Sequence, residues 1–324
     1  MGGFGETIEI TLRLVKASLL RTGLPVPAPR DVVYSWARGT GLPGRGETYI
    51  YTGGLYQLAP YIRANVEALE ALRRVGVLWR LAGRLGEAAV GRLPLHLAFR
   101  PPKREVERAR RVVRSIARMV ASVSPGVAYL YERDLYPGTI AYEYGLDDVF
   151  QVQAMRVAKA VKSAGAKRLV TIDPHTTRIL RSVIPEYVDG FDTEVVSYLE
   201  LLDEAGYQPP RLKDEAVIHD PCLYARFEGV VEQPRRLLER AGLRLKEPGR
   251  SRRLTYCCGG PIEGIMPELS KKIARVRAEE LLRYSSKVLV LCPICYVNLE
   301  PQVRGRGTVI DVAEYLSGEA GASV

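Results

Sequence analysis

The sequence predicts an α/β protein made of two similar doubly wound lobes on parallel sheets, preceded by a helical segment. Three observations lead there. Short apolar runs bounded by breakers alternate with stretches of helical periodicity, most clearly at 215–219 (EAVIH) and 287–291 (KVLVL). Each of these runs ends at or just before a cysteine, and in a doubly wound sheet the ligand edge lies at the carboxyl ends of the strands. The first half of the chain repeats the same units without the sulfur.

With 324 residues, 47% of them hydrophobic, the chain can bury one large or two medium cores. Residues 1–45 read as an N-terminal helical segment. Residues 46–210 form a first lobe that opens on the strand-and-turn ETYIYTGGL at 47–55. An insertion of about 75–123 follows. Its amphipathic helix carries Val112, Val113, Ile116 and Val120 on one face, with Arg108, Arg111 and Arg118 off it. Residues 211–324 form the second lobe. Its strands are expected at 215–219, 287–291 and 308–310, with 254–256 as a weaker one, and its helices at 229–241, 266–284 and 311–316.

The internal match is made segment by segment. Residues 47–55 align with AVIHDPCL at 216–223, so that Gly54 stands where Cys222 is. AKRLVTIDPHTTRIL at 166–180 lies without a gap on SSKVLVLCPICYVNL at 285–299, which sets Asp173 on Cys292 and Thr176 on Cys295. TEVVSYL at 193–199 is matched to IDVAEYL at 310–316, and Tyr136-Pro137-Gly138 to the turn at Cys257-Cys258-Gly259.

The five cysteines all fall in the last third, with spacing C-x34-CC-x33-C-x2-C. An odd number crowded into one segment, with no secretory leader in front of it, argues against a disulfide framework. Cys292-Pro293-Ile294-Cys295 puts two sulfurs on one turn, as metal and cluster sites require. Gly259 and Gly260 after the Cys257-Cys258 pair let backbone N–H groups approach an anionic, sulfur-rich centre. On spacing alone an iron–sulfur centre, a structural four-thiolate zinc site with one spare sulfur, and redox-active thiols all stay open.

The motif Cys222…Cys257-Cys258-Gly259-Gly260…Cys292-Pro293-Ile294-Cys295 resembles the cysteine-rich CCG domain of the B-type and D-type subunits of heterodisulfide reductase. The same domain occurs in the iron–sulfur subunits of glycolate oxidase, anaerobic glycerol-3-phosphate dehydrogenase and the lactate-utilisation system. Those proteins carry two copies in tandem, as the repeat over roughly 46–320 does here. The resemblance implies one iron–sulfur cluster, a [4Fe–4S] centre of the non-cubane kind in the reductases, held by Cys222, Cys257, Cys258, Cys292 and Cys295. It also implies an oxidoreductase subunit that handles electrons for a thiol, disulfide or other sulfur substrate. The first copy departs from the pattern, with Gly54, Tyr136, Pro137, Asp173 and Thr176 at the ligand positions. The ferredoxin run C-x2-C-x2-C-x3-C-P of several relatives is missing too, so electrons are expected from a ferredoxin-like or flavin-containing subunit. The rival expectations are a non-catalytic electron-transfer or assembly subunit and a structural zinc scaffold.

Beyond the cysteines, His219 is the candidate to donate an N–H to a cluster sulfur or to protonate a leaving thiolate; the alternative is a strand-end histidine bonded to backbone. His175 beside Asp173 reads as part of a packed remnant, two ligands being too few for a metal. His96 reads as incidental, and Arg250, Arg252 and Arg253 as a solvated turn. The net charge of +10 comes from 47 cations, 37 of them Arg, against 37 carboxylates. With only two Asn this bias fits a heat-adapted source, or genome composition. The charge is dispersed, with Arg104, Arg108, Arg110, Arg111 and Arg114 mixed among Glu105 and Glu107. A docking surface for an acidic electron-donor subunit explains this better than nucleic acid does. No membrane span is expected, because Arg80 and Arg84 interrupt the best apolar run at 75–90. With no leader read at 1–6, the expected compartment is the cytoplasm.

Overall fold

The computed structural model describes residues 4–29 and 31–319; Met1–Gly3, on which the leader reading partly rests, lie outside them. Among the described residues eight strands form two sheets: β1 (Thr48–Tyr51), β2 (Ala128–Tyr129), β3 (Arg168–Thr171), β4 (Glu194–Ser197), β5 (Asp214–His219), β6 (Leu243–Lys246), β7 (Lys287–Val290) and β8 (Thr308–Asp311). Every pairing is parallel, and the orders β2-β1-β3-β4 and β6-β5-β7-β8 are the same topology written twice. Strands β3 and β7 hold the same place in their sheets, as the repeat requires. The helix Phe4–Thr22 leads into the first lobe, and the insertion contributes the helices Gly76–Ala89 and Lys103–Val123. Val112, Val113, Ile116 and Val120 are all buried, on the apolar face the sequence assigned to them.

Register tests the repeat residue by residue. Tyr49 pairs with Leu169 and Val217 with Val288, which makes Gly54 and Cys222 equivalent as expected. Gly138 and Gly259 both adopt left-handed backbone, φ +86° and +83°, each capping the turn that follows. Two expectations need correction. Arg168 pairs with Glu194 and Lys287 with Thr308, so Ser197 is the counterpart of Asp311, three residues away from the match drawn by similarity. A slip of three is close to one helical turn and preserves the apolar face of a short helix, which hides it in the sequence. Residues 254–256 are not a strand: Leu254 closes the one-turn helix Arg252–Leu254 and is 78% exposed. The missing strand is β6, Leu-Arg-Leu-Lys, an edge strand in which only Leu243 is buried and no apolar run exists.

The lobes exchange contacts in a twofold pattern. The helix Tyr198–Glu204 after β4 packs on Glu232–Arg240, which leads into β6, while Val312–Leu316 after β8 packs on Lys103–Val123, which leads into β2. Two hydrogen bonds repeat the exchange. Tyr56 Oη donates to Asp311 Oδ2 at 2.8 Å, and its counterpart Tyr224 bonds Ser197 Oγ at 2.9 Å. Both partners are helix N-caps closed by capping boxes, with Glu314 and Glu200. Alternation along the strands sends Tyr49, Leu169, Val217 and Val288 into one apolar layer and Ile50, Val170, Ile218 and Leu289 into the other. Each layer therefore draws on both sheets.

The turn that lacks cysteine in the first lobe is packed solid. Gly53 is held at φ +55°, and a Cβ there would lie 2.5 Å from Thr176 Oγ1 and 3.0 Å from Pro137 Cδ. A Cβ on Gly54 would lie 2.7 Å from Val33 Cγ2. The buried Asp134 ties the turn down, accepting from Thr52 N, Gly53 N, Thr52 Oγ1 at 2.6 Å and Tyr129 Oη at 2.8 Å. Gly53→Ala is expected to destabilise the protein by about 1–3 kcal/mol, read as a lower urea midpoint, because strain and overlap act together.

Burial pushes the Asp134 carboxyl up to about 6, against the hydrogen bonds from Thr52, Tyr129 and Gly53. The folded state then binds the proton more tightly than the unfolded chain, so Asp134 makes stability fall as pH rises from about 4 to about 6. Asp134→Asn is expected to flatten that part of the stability curve; an unchanged slope in urea titrations across the window contradicts the assignment.

Candidate metal centre

The strand ends of the second lobe gather all five sulfurs. Cys222 lies three residues past His219, the last residue of β5. Cys292 lies two past the end of β7 and is the N-cap of the helix Pro293–Val303, and Cys295 follows on its first turn. Proline at the first helical position has no N–H to leave unpaired. Cys257 and Cys258 arrive on the loop from β6 and end in the left-handed Gly259. None is in a disulfide; Cys258, Cys292 and Cys295 are buried, Cys222 and Cys257 partly exposed.

The sulfurs form an unbroken series of neighbours: Cys222 beside Cys257, Cys257 beside Cys258, Cys258 beside Cys295, and Cys295 beside Cys292. Contacts with the Cys222 and Cys258 thiols hold Cys257 far below the usual thiol range, with Gly259 N–H adding a hydrogen bond to its sulfur at 3.3 Å. Burial opposes ionisation of Cys292, yet contacts with Cys295 and His175 bring it down to about 5. Cys222, Cys258 and Cys295 are pushed up, chiefly by the neighbouring sulfurs. The fold thus favours anionic sulfur at Cys257 and Cys292. Space alone requires both glycines: a Cβ on Gly259 would lie 2.7 Å from Ser270 O, and one on Gly260 2.3 Å from Ile294 Cγ2 and 3.4 Å from Cys258 Sγ.

His219 is fully buried, and its Nδ1 accepts from Arg277 Nε at 3.0 Å. A guanidinium can only donate, so Nδ1 carries the lone pair and Nε2 the proton. Burial and Arg277 both push His219 far below the usual imidazole range, which keeps it neutral. Nε2 has no partner, while ring nitrogen and sulfur atoms of His219, Cys258 and Cys295 lie within 4.8 Å of one another. What the ring offers the sulfurs is an N–H, not a ligand lone pair. Arg277 is itself fully buried, bonded to Arg250 O and Glu280. It was missed in the sequence, although its spacing to Ala274, Ala278 and Leu281 places a cation on an otherwise apolar helix face.

Asp173 caps the short helix Pro174–Arg178, its Oδ1 accepting from His175 N and Thr176 N at 2.9 Å each. His175 is buried, with its Nδ1 2.9 Å from Glu143 Oε1, and it lies beside Cys292 of the second lobe. Sequence reading gave no sign of Glu143, nor of Glu263, which is half-buried, held up at about 7 by desolvation and bonded by Asn298 Nδ2 at 2.7 Å. Arg252 pairs with Glu232 at 2.8 Å, and Arg250 stacks on Tyr256. His96 sits in the insertion on the turn Leu95–Leu97. Among the described residues no helix is long and apolar enough to cross a membrane.

Comparison with known proteins agrees with this geometry. Residues 216–300 match the cysteine-rich domain model, CCG. The probable iron-sulfur-binding oxidoreductase FadF of Bacillus subtilis is 28% identical over 216 residues, 64% of this chain and 30% of that protein. The EtfAB:quinone oxidoreductase of Syntrophomonas wolfei is 25% identical over 230 residues, 65% of this chain and 32% of that protein. The D-type subunit of the dihydromethanophenazine:CoB–CoM heterodisulfide reductase of Methanosarcina barkeri is 28% identical over 168 residues, 48% of this chain and 40% of that protein. The chain thus spans roughly a third of the length of the first relatives it matches. The second lobe thus matches the CCG cysteine-rich domain over residues 216–300, and the chain's relatives include a D-type subunit of heterodisulfide reductase and the probable iron-sulfur-binding oxidoreductase FadF.

Proposed function

We propose that Cys222, Cys257, Cys258, Cys292 and Cys295 hold one iron–sulfur cluster, of the [4Fe–4S] class. The chain then serves as an electron-handling subunit of an oxidoreductase of heterodisulfide reductase type. The observation that carries this reading is the unbroken series of five sulfurs at the strand ends, with anionic sulfur favoured at two of them. A bound cluster supplies one-electron chemistry and iron able to take a sulfur ligand. The protein's own share is to bury three of the sulfurs, to leave Cys222 and Cys257 toward solvent where a substrate sulfur arrives, and to aim the His219 N–H at the group.

The substrate in this reading is a thiol, a disulfide or another sulfur compound. Electrons come from a ferredoxin-like or flavin-containing subunit, a role consistent with relatives named as a membrane-anchored ferredoxin and an EtfAB:quinone oxidoreductase. Five free cysteines gathered at one sheet edge suit a reducing compartment, and we place the protein in the cytoplasm. A second reading, electron transfer or assembly with no substrate of its own, is favoured by the packed first-lobe turn at Gly53 and Gly54, which leaves one thiol set instead of two.

Protein purified without oxygen is expected to be brown and to contain about four iron atoms per chain, with the visible absorption lost in Cys258→Ser. Stoichiometric zinc with no iron overturns the proposal in favour of a structural metal site.

A further inference from the structure

A buried cation stands behind the thiol centre. The helix Pro267–Leu282 packs on β5 and on Pro293–Val303, and its buried face, with Ala274, Ala278 and Leu281, is interrupted by the fully buried Arg277. Nη1 of Arg277 donates to Arg250 O at 2.9 Å and to Glu280 Oε2 at 2.8 Å. The other edge of a guanidinium, Nε with Nη2, is the one that at Arg168 grips both oxygens of Glu194. At Arg277 that edge meets no carboxylate. Nε donates to His219 Nδ1 at 3.0 Å, and Nη2 has no partner among the described residues. With Nδ1 accepting, the ring proton sits on Nε2, which is buried and unpartnered among the described residues as well. A ring nitrogen of His219 and the sulfurs of Cys258 and Cys295 lie within 4.8 Å of one another. Buried donors are costly to leave unpaired, and here one bonded pair of side chains at the sulfur site carries two of them.

We infer that Arg277 is a positioning residue of the thiol centre: it locks His219 in the tautomer whose Nε2–H faces the sulfurs and sets a buried positive charge behind that ring. The redox consequence rests on the reading of the five cysteines as cluster ligands; the tautomer lock rests on the Arg277–His219 hydrogen bond alone. A neutral imidazole can carry its proton on either nitrogen, and the Arg277 donor removes the tautomer that would turn a lone pair toward the sulfurs. A fixed donor with positive charge behind it stabilises the more negative, reduced state of a sulfur-ligated group and so raises its reduction potential. The lobe without cysteines has neither part. Register places Tyr51 of β1 where His219 stands in β5, and Tyr51 Oη donates to Leu135 O of its own lobe. The corresponding helix Asp147–Ala164 buries Val149, Phe150, Gln153, Ala154, Val157 and Val161, and no cation among its described residues.

The test is a redox titration of iron-loaded protein followed by electron paramagnetic resonance. Arg277→Met is expected to keep its iron, to show an altered reduced-state spectrum and to lose about tenfold in electron affinity, a midpoint lower by about 59 mV for a one-electron couple. His219→Phe is expected to move the midpoint in the same direction, and Arg277→Lys, which keeps a charged donor, to recover part of the shift. Because Arg277 acts through the ring, Arg277→Met is expected to shift the midpoint less in the His219→Phe background than alone. Full iron with unchanged potential and spectrum in Arg277→Met overturns the inference. Should that variant fail to fold, pulsed resonance of the reduced wild type with isotopically labelled histidine decides: a nitrogen coupling that disappears in His219→Phe supports the contact, and a spectrum unchanged by His219→Phe overturns it. Should the wild type hold zinc, the cluster reading fails while the lock is still decided by nitrogen resonances of the labelled zinc protein: a protonated Nε2 with a bare Nδ1 at His219 supports it, and a protonated Nδ1 overturns it.

Discussion

The pair of exchanged hydrogen bonds, Tyr56 to Asp311 and Tyr224 to Ser197, is the constraint on which the rest of the molecule depends. All four residues are buried, and a buried hydroxyl or carboxylate that loses its partner costs on the order of 1–3 kcal/mol. Neither lobe can satisfy its own tyrosine this way, because each acceptor caps a helix of the other lobe. The lobes must therefore meet in one orientation, which sets the helix Pro174–Arg178 after β3 on the segment Tyr224–Glu228 and the helix Pro293–Val303 after β7 on Leu55–Arg74. The apolar layers shared by both sheets supply the bulk of the adhesion; the tyrosines decide how it is aligned.

Given that alignment, the chemistry at each helix start follows from one side chain. Asp173 and Cys292 occupy the same cap with nearly the same backbone, φ −145° and −149°, each followed by proline. The carboxylate reaches the His175 and Thr176 N–H groups and satisfies the helix end within its own lobe. Sulfur at Cys292 makes no such side-chain cap. The start of an eleven-residue helix, where backbone N–H groups and the macrodipole favour negative charge, is then left facing the thiol group. The turns before the caps have diverged as well. In the first lobe Thr52 donates to the Asp134 carboxylate, while in the second the acid is Asp220, which turns away to a bidentate pair with Arg235 at 2.9 Å and leaves its carbonyl to Thr255.

The parts of this arrangement legible in the sequence were those governed by local signals. Cysteine spacing located the site, β5 and β7 announced themselves as apolar runs, and the Gly54–Cys222 and Asp173–Cys292 equivalences survive in the register. Three kinds of feature stayed hidden. Edge strands hid because half of an edge strand faces water: β6 alternates leucine with arginine and lysine, and β2 has only two residues. The slip between Ser197 and Asp311 hid because a shift near one turn leaves helical periodicity intact. The distant partners of the histidines hid because nothing local marks them: Glu143 lies 32 residues before His175, and Arg277 lies 58 after His219. Arg277 alone had a readable trace, a cation among the apolar positions of its helix.

The two lobes also differ in how they fill their volume. In the first, Val33 from the N-terminal segment fills the space beside Gly54, and Thr176 and Pro137 close on Gly53, so the turn equivalent to the thiol site is solid protein. In the second, Gly259 and Gly260 keep the corresponding space narrow for carbon while sulfur occupies it. The first-lobe turn is thereby closed to a side chain at either glycine, whereas at the second-lobe counterpart of Gly54 the residue is Cys222, whose sulfur reaches the thiol group.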